Sequence, residues 1–250
     1  SLAFDKETNA FVVIEYKRGG SFSVIDQGIA YLALMLNNKA DFVLEYNDRT
    51  KQALRKEDID WSQSRVLFVA NAFNAYQQNA INFRDFPIEL WEVKFFENST
   101  VLYSRLASPE ASESIKTISK SKTIESVSKE VRVYTLDDHL SAASDKIKSV
   151  FLQLRERILA LGDGIEERPK KFYIAYRRQS GFAYVELQKA KMKIHITVSR
   201  KELDDPRSIT RDVTNIGHFG VGDTEISLDE GGDLNYVMSL IEQSYRAAGR

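Results

Sequence analysis

The chain has 250 residues, 43% of them hydrophobic, with 35 basic and 36 acidic side chains and a formal net charge of −1. That length suits two domains of about 100 residues each, and the balanced charge excludes a global basic field of the kind that captures nucleic acid non-specifically. The lack of cysteine excludes disulfides and Cys-zinc sites and fits a reducing cytoplasm. No apolar run approaches a membrane span of about 18 residues and no signal peptide is in view, so a cytoplasmic protein without a membrane partner is expected.

Residues 1–5 and 11–17 read as a hairpin turning around Glu7, Thr8 and Asn9, with Asp5 facing Phe11. Along its second strand Phe11, Val13, Glu15 and Lys17 share one face, and Val12, Ile14 and Tyr16 share the other. Both faces are mostly apolar, which predicts a strand covered on both sides. A carboxylate and an ammonium two residues apart at the end of such a strand need a partner or a task. A metal-dependent phosphodiesterase uses such a pair, the carboxylate holding Mg²⁺ and the lysine orienting or activating the attacking water. A solvated Glu–Lys pair at a frayed strand end is the alternative that the strand alone leaves open.

Ser23 and Asp26 form a capping-box pattern that opens a helix to about Asn38, with Val24, Gly28, Tyr31, Leu32 and Met35 as its apolar stripe. Asp26 serves as the cap partner rather than as a metal ligand. Gln27 and Tyr31 lie one turn apart, and a short loop through Gly19 and Gly20 brings them close to Glu15 and Lys17.

E-x-K on a strand followed by Q-x-x-x-Y on a helix resembles the PD-(D/E)XK, or restriction-endonuclease-like, nuclease superfamily. The resemblance implies an α/β fold, a mixed sheet flanked by helices, and Mg²⁺- (or Mn²⁺-) dependent hydrolysis of DNA or, as the alternative, of RNA. It makes Glu15 a metal ligand, Lys17 the catalytic lysine, and Gln27 and Tyr31 accessory catalytic residues. The superfamily carries a second metal carboxylate on the preceding strand. Asp5 would lie roughly 13 Å along the strand from Glu15, at about 3.3 Å per residue, too far to share one ion. Sequences that share the resemblance carry an I-D dipeptide just before the position of Ser1, so the resemblance implies that the missing Asp precedes Ser1 and that residues 1–106 are a nuclease-like domain incomplete at its N-terminus.

Further along, residues 40–46 read as a strand, residues 49–58 as a short polar helix, and residues 65–70 as a buried strand. Residues 74–84 read as a helix, and residues 88–96 and 101–106 as two more strands. Trp61 and Trp91 are core or interface aromatics. Residues 107–135 are rich in Ser, Lys and Glu and read as a linker. Residues 137–161, within a connecting segment 136–162, are expected to be the longest helix, capped by Thr135. Leu140, Ile147, Leu154 and Leu161 recur every seventh residue there. That stripe packs on its own domain or, as the alternative, pairs with a second copy.

Residues 164–250 read as a compact α+β domain. Strands are expected at 172–177, 182–187 and 191–198, a helix start near Ser208, a Gly-rich segment from Asn215 ending in a strand near Glu225, and a closing helix at 233–247. In the third strand Met192, Ile194, Ile196 and Val198 face inward, and Lys191, Lys193 and His195 outward. The pattern from Glu202 through Ile216-Gly-His-Phe-Gly and Gly222-Asp-x-Glu225 is similar to a small domain of unassigned function. It occurs at the C-terminus of predicted nucleases and of proteins labelled as transport-related.

His218, with Asp223 and Glu225 near it, invites a catalytic or phosphate-binding reading. The alternative is a tight glycine turn in which His218 hydrogen-bonds locally. Arg177, Arg178, Lys191 and Lys193 among tyrosines are candidate nucleic-acid contacts, with solvated lysines as the bland alternative. Three functions compete: a metal-dependent endonuclease with a C-terminal substrate reader, a non-cleaving nucleic-acid-binding module of the same fold, and a protein-interaction scaffold, homodimeric through residues 137–161.

Overall fold

The computed structural model describes residues 1–17, 24–83, 85–106 and 121–249, the side chain of Val24 excepted. Two compact units divide the chain, Ser1–Val133 and Tyr134–Arg250. Among the described residues the fold is mixed α/β, with two sheets and seven α-helices. None of these helices is long and apolar enough to cross a membrane.

The first unit is built on a five-stranded mixed sheet, in the order β1 (Leu2–Asp5), β2 (Ala10–Lys17), β3 (Arg65–Ala70), β4 (Ile88–Phe95) and β5 (Val101–Arg105). β2, β3 and β4 are parallel, and the outer strands run antiparallel to their neighbours. In the hairpin Asp5 pairs with Ala10, one residue off the expected register, and Asn9 takes a positive φ of 49° to close the turn. The first half of β2 is buried on both faces, as expected for Ala10 to Val13. The second half is not, because Tyr16 is 63% exposed.

Helix α1 (Val24–Asn37) covers one face of the sheet. Its buried stripe is Ile25, Gly28, Ile29, Leu32, Met35 and Leu36 rather than one through Tyr31, which is exposed. These residues share a core with Phe11, Val13, Val66, Phe68 and Leu90. The expected cap at Ser23 and the Gly19–Gly20 loop lie outside the described residues.

The expected strand at residues 40–46 is helix α2 (Lys39–Thr50). Phe42, Val43 and Tyr46 carry helical spacing, and Tyr46 packs its ring near Phe4 and Phe11, at 5.3 and 5.6 Å. The expected polar helix at 49–58 is the end of α2 followed by a separate 3₁₀ turn, Lys56–Asp58. Asn74 caps α3 (Ala75–Asn79), which continues as a 3₁₀ turn to Asn82. Within the expected linker, residues 107–120 lie outside the described residues. Residues 122–130 form helix α4 (Lys122–Glu130), whose Val127 is buried in the core of the first unit with Val131 just after it.

In the second unit the long helix expected at 137–161 is two helices, α5 (Leu136–Leu140) and α6 (Asp145–Leu159). Thr135 and Asp138 make a capping box at the first, and Ser144 caps the second in extended backbone. Ile147, Phe151, Leu154 and Ile158 of α6 are buried against the sheet, so the stripe a self-pairing helix would need lies in the core. The six strands are antiparallel, in the order β10 (Arg211–Asp212), β11 (Thr224–Asp229), β9 (Lys191–Ile196), β8 (Gly181–Leu187), β7 (Ile174–Arg177) and β6 (Glu166–Pro169). β6 escaped the sequence reading. No helix starts near Ser208, which occupies a turn at φ 52°. Helix α7 (Leu234–Ala248), capped by Asp233, buries Val237, Met238, Leu240 and Ile241 in the same core as α6.

The approach of α1 to β3 is close enough to require glycine. A Cβ at Gly28 would meet the Phe68 ring, with Cε1 at 2.7 Å. Ala is intrinsically favoured in a helix by about 1 kcal/mol, but overpacking costs about 1–3 kcal/mol. Gly28→Ala should therefore lower the thermal midpoint of the chain, and Phe68→Leu in that background should recover part of the loss. A raised midpoint in Gly28→Ala would show that the helix does not sit this close.

Candidate functional site

β2 ends in a transition from core to solvent. Phe11 and Val13 are buried on the α1 face, and Glu15 and Lys17 continue the same row where burial gives out. Both side chains are half-buried. Partial burial alone lowers the Lys17 ammonium from its ordinary value of 10.5. The position is the carboxyl end of three parallel strands, where open α/β sheets place their ligands.

Gln27 and Tyr31 are brought together on the exposed side of α1, where Gln27 Nε2 donates to Tyr31 Oη at 2.8 Å. Asp26 is exposed in the first turn, where a carboxylate complements the helix dipole. A third residue escaped the sequence reading. Lys17 is in register with Ala70 of β3, and Ala70 with Glu92 of β4, so Lys17, Ala70 and Glu92 form one row. Glu92 ends the run Ile88, Leu90, Glu92 just as Glu15 follows Phe11 and Val13, and that repeated pattern was the available signal. Among the described residues no three His, Cys, Asp or Glu side chains converge as a metal-binding group.

Asp5 has a different role. It lies on the opposite face of the sheet, where Arg65 Nη2 donates to its Oδ2 at 2.9 Å. Arg65 Nε also donates to Glu89 Oε1 at 2.9 Å, and Trp91 Nε1 donates to Glu89 Oε2 at 3.0 Å. Arg105 lies 3.2 Å from the same Oε2. This half-buried network, centred on the buried Glu89, accounts for Trp91. Trp61 packs against Phe11, with ring centroids 5.6 Å apart.

In the second unit the four candidate nucleic-acid contacts split into two pairs. Arg177 ends β7 opposite Gly181, whereas Lys191 begins β9 near the far end of β8. The length of β8, Gly181–Leu187, sets them about 20 Å apart. Arg178 stacks over the Tyr245 ring at 5.6 Å, and Lys193 lies 3.5 Å from Glu225.

His195, expected to face solvent, is 1% exposed. The Gly-rich segment folds over it, so that His218 stacks on His195 with centroids 4.6 Å apart, while His218 Nδ1 donates to the Ile216 carbonyl at 2.8 Å. His218 therefore combines the local turn contact with a long-range one. Glu225 is 7% exposed, with Arg211 at 2.8 Å and His195 Nε2 at 3.3 Å. Burial pushes the Glu225 carboxyl up, but Lys193, Arg211 and His195 together outweigh it and hold the carboxyl below its usual range.

A second unit of this kind, a six-stranded antiparallel sheet backed by two helices, coincides with a recognised but functionally unassigned module. Residues 136–248 match the family model of a domain of unknown function, DUF5655. Over 247 residues the chain is 44% identical to an uncharacterized protein of Haemophilus influenzae, covering 98% of this chain and 82% of that protein. The chain belongs to the family of that Haemophilus protein. No solved structure matches.

The network around the buried Glu89 gives a direct stability test. Glu89→Ala leaves Arg65 and Arg105 short of a carboxylate and Trp91 short of an acceptor, and should cost about 3–5 kcal/mol in urea unfolding. Asp5→Ala leaves Arg65 its bond to Glu89 and should cost less, about 1.5–3 kcal/mol. The reverse order would contradict the network as described.

Proposed function

We propose that the N-terminal unit is a restriction-endonuclease-like phosphodiesterase, dependent on Mg²⁺ or Mn²⁺ and acting on DNA in preference to RNA. The observation that carries this reading is the placement of Glu15 and Lys17 on one face at the carboxyl end of β2, where the strand leaves the core. A hard divalent cation needs only one or two protein carboxylates, the rest of its shell being water and substrate phosphate. Glu15 fits that requirement and would hold the ion. The chemistry such an ion supplies when bound is charge neutralisation at the phosphate and a more acidic attacking water.

The remaining work falls to the protein's own groups. Lys17 follows on the same strand face with an ammonium that partial burial makes easier to deprotonate, which suits holding or exchanging a proton with the attacking water. Tyr31 accepts from Gln27 and keeps its own O–H to donate to a phosphate oxygen. In the C-terminal unit, Arg177 and Lys191 lie about 20 Å apart, the rise of roughly six base pairs along a duplex axis at about 3.4 Å each. That spacing supports positioning of a polyanion through its backbone rather than tight capture.

A second reading, a nucleic-acid-binding module that does not cleave, draws support from Asp5. The carboxylate on β1 lies on the wrong face for sharing an ion with Glu15 and is held by Arg65.

Two measurements separate these readings. In an assay with plasmid and single-stranded DNA, Mg²⁺ or Mn²⁺ should support cleavage by the chain or by its Haemophilus relative. Glu15→Ala and Lys17→Ala should each lower the rate at least 100-fold, and unchanged cleavage in Glu15→Ala would remove the assignment. Binding of labelled oligonucleotides at low salt should be weak and steeply salt-dependent, and Arg177→Ser with Lys191→Ser should reduce it several-fold. Absence of binding at low salt would point to a protein partner for this unit instead.

A further inference from the structure

The outer face of the second sheet carries one row of side chains in register across four strands, Tyr184 of β8, His195 of β9, Glu225 of β11 and Arg211 of β10. The segment from Val213 to Asp223 folds back over this row. Its base is closed by the Val213 N–H donating to the Asp223 carbonyl at 2.7 Å, with Val213 fully buried. Three contacts seat it on the sheet. His218 stacks on His195, Phe219 stacks on Phe172 with centroids 4.1 Å apart, and Gly220 rests on Tyr184. Gly220 and Gly222 take φ values of 86° and 145°, and a Cβ at Gly222 would lie 2.7 Å from the Ile196 carbonyl oxygen. The backbone path is thus one that only glycine follows easily, and most of the segment between its anchors is exposed.

His195 is the unusual group under this cover. Both ring nitrogens are buried, and neither has a hydrogen-bond partner among the described residues. Glu225 Oε2 is 3.3 Å from Nε2, a charge contact without hydrogen-bond alignment. A buried imidazole left unbonded on both sides is unfavourable unless its surroundings do something with it. The parallel stacking of the two rings keeps their in-plane nitrogens from converging on one ion, and Arg211 and Lys193 already neutralise Glu225. A metal site is therefore not the use.

We propose that residues 213–223 are a lid over the Tyr184–His195–Glu225 row, held shut by the stack of His218 on His195 and released when His195 takes up a proton. The groups facing His195 are Tyr184 and Glu186 from β8, Lys193 on its own strand, Glu225 from β11, Arg211 from β10 behind it, and His218 from the lid. Two of these favour a charged His195, namely Glu225 and Glu186. Burial and the neighbouring His218 oppose it and prevail, so the imidazole is held below its ordinary value of 6.5 while the lid is shut. In the open lid it returns toward that value. Closure is fully favoured above pH 6.5 and weakens below it, by up to tenfold in the closing equilibrium per pH unit until the shut-state value is reached. Glu225, held below its usual range, stays ionised across this window. Opening would bring Tyr184, His195 and Glu225 to solvent and lift the exposed Ile216, Phe219 and Val221 away from the sheet.

Hydrogen exchange by mass spectrometry on the intact chain tests this, reading peptides that span 213–223 at pH 8.0 and pH 5.5 after correction for the intrinsic rate. Wild-type protection in this segment should fall at least fivefold at the lower pH while α7 remains protected. His195→Phe keeps the stacking surface and cannot titrate, so its lid should hold its protection at both values. Unchanged wild-type protection, or an equal acid loss in folded His195→Phe, would overturn the proposal. Should that variant fail to fold, the proton NMR titration of wild-type His195 decides: titration below 6.5 supports the lid, and titration at or above 6.5 contradicts it.

Discussion

Everything in the first unit depends on how closely α1 can lie on β3. Gly28 lets the helix backbone come down onto Phe68, and that contact fixes which residues of α1 turn inward. Ile25, Ile29, Leu32 and Met35 then cover Phe11, Val13, Val66 and Leu90. Among the described residues, the shared apolar core reaches Val13 on this row of β2. Glu15 and Lys17 are consequently half-buried at the end of a strand. A bulkier residue at position 28 would lift the helix and change the surroundings of both.

The two sheets each carry buried charge on the face away from their main apolar core, with different consequences. Arg65, Glu89 and Asp5 form a paired network in the first sheet, with Trp91 as an added donor. Such a network contributes little net stability over an apolar equivalent, but it is costly to break. It also commits Asp5 to a structural task. In the second sheet Glu225 is surrounded by cations, whereas His195 beside it is left unbonded under a glycine-bearing loop. The first arrangement is locked by its pairing, and the second rests on ring stacking and a glycine-bearing turn.

Much of the architecture was legible because local pattern and tertiary role agree. β2, β3 and β4 read as strands from their β-branched runs and period-2 alternation, and α7 from its Asp cap and helical stripe. Residues 40–46 misled because Phe42, Val43 and Tyr46 favour strands intrinsically, while the contacts of Tyr46 with Phe4 and Phe11 reward helical spacing. The helix across 137–161 was overextended because its heptad pattern concealed Ser144, whose cap restarts the helix. Glu15 and Lys17 stood out as charges ending an apolar row. Glu92 did not, since its relation to Lys17 exists only through the parallel register of three strands. His195 was assigned to solvent by alternation, which is right for the strand. It could not reveal a loop folding back from more than twenty residues further along the chain.

The central claim is that the carboxyl end of β2 is where a divalent cation and a phosphate meet the protein. Fe²⁺-mediated oxidative cleavage of the polypeptide reports this without requiring turnover of substrate. With Fe²⁺ in place of Mg²⁺, plus ascorbate and peroxide, the chain should be cut near Glu15–Lys17 and near Ala70. Excess Mg²⁺ should suppress both cuts, and Glu15→Ala should abolish them. Cuts elsewhere, or cuts near Glu15 that Mg²⁺ does not suppress, would contradict the account.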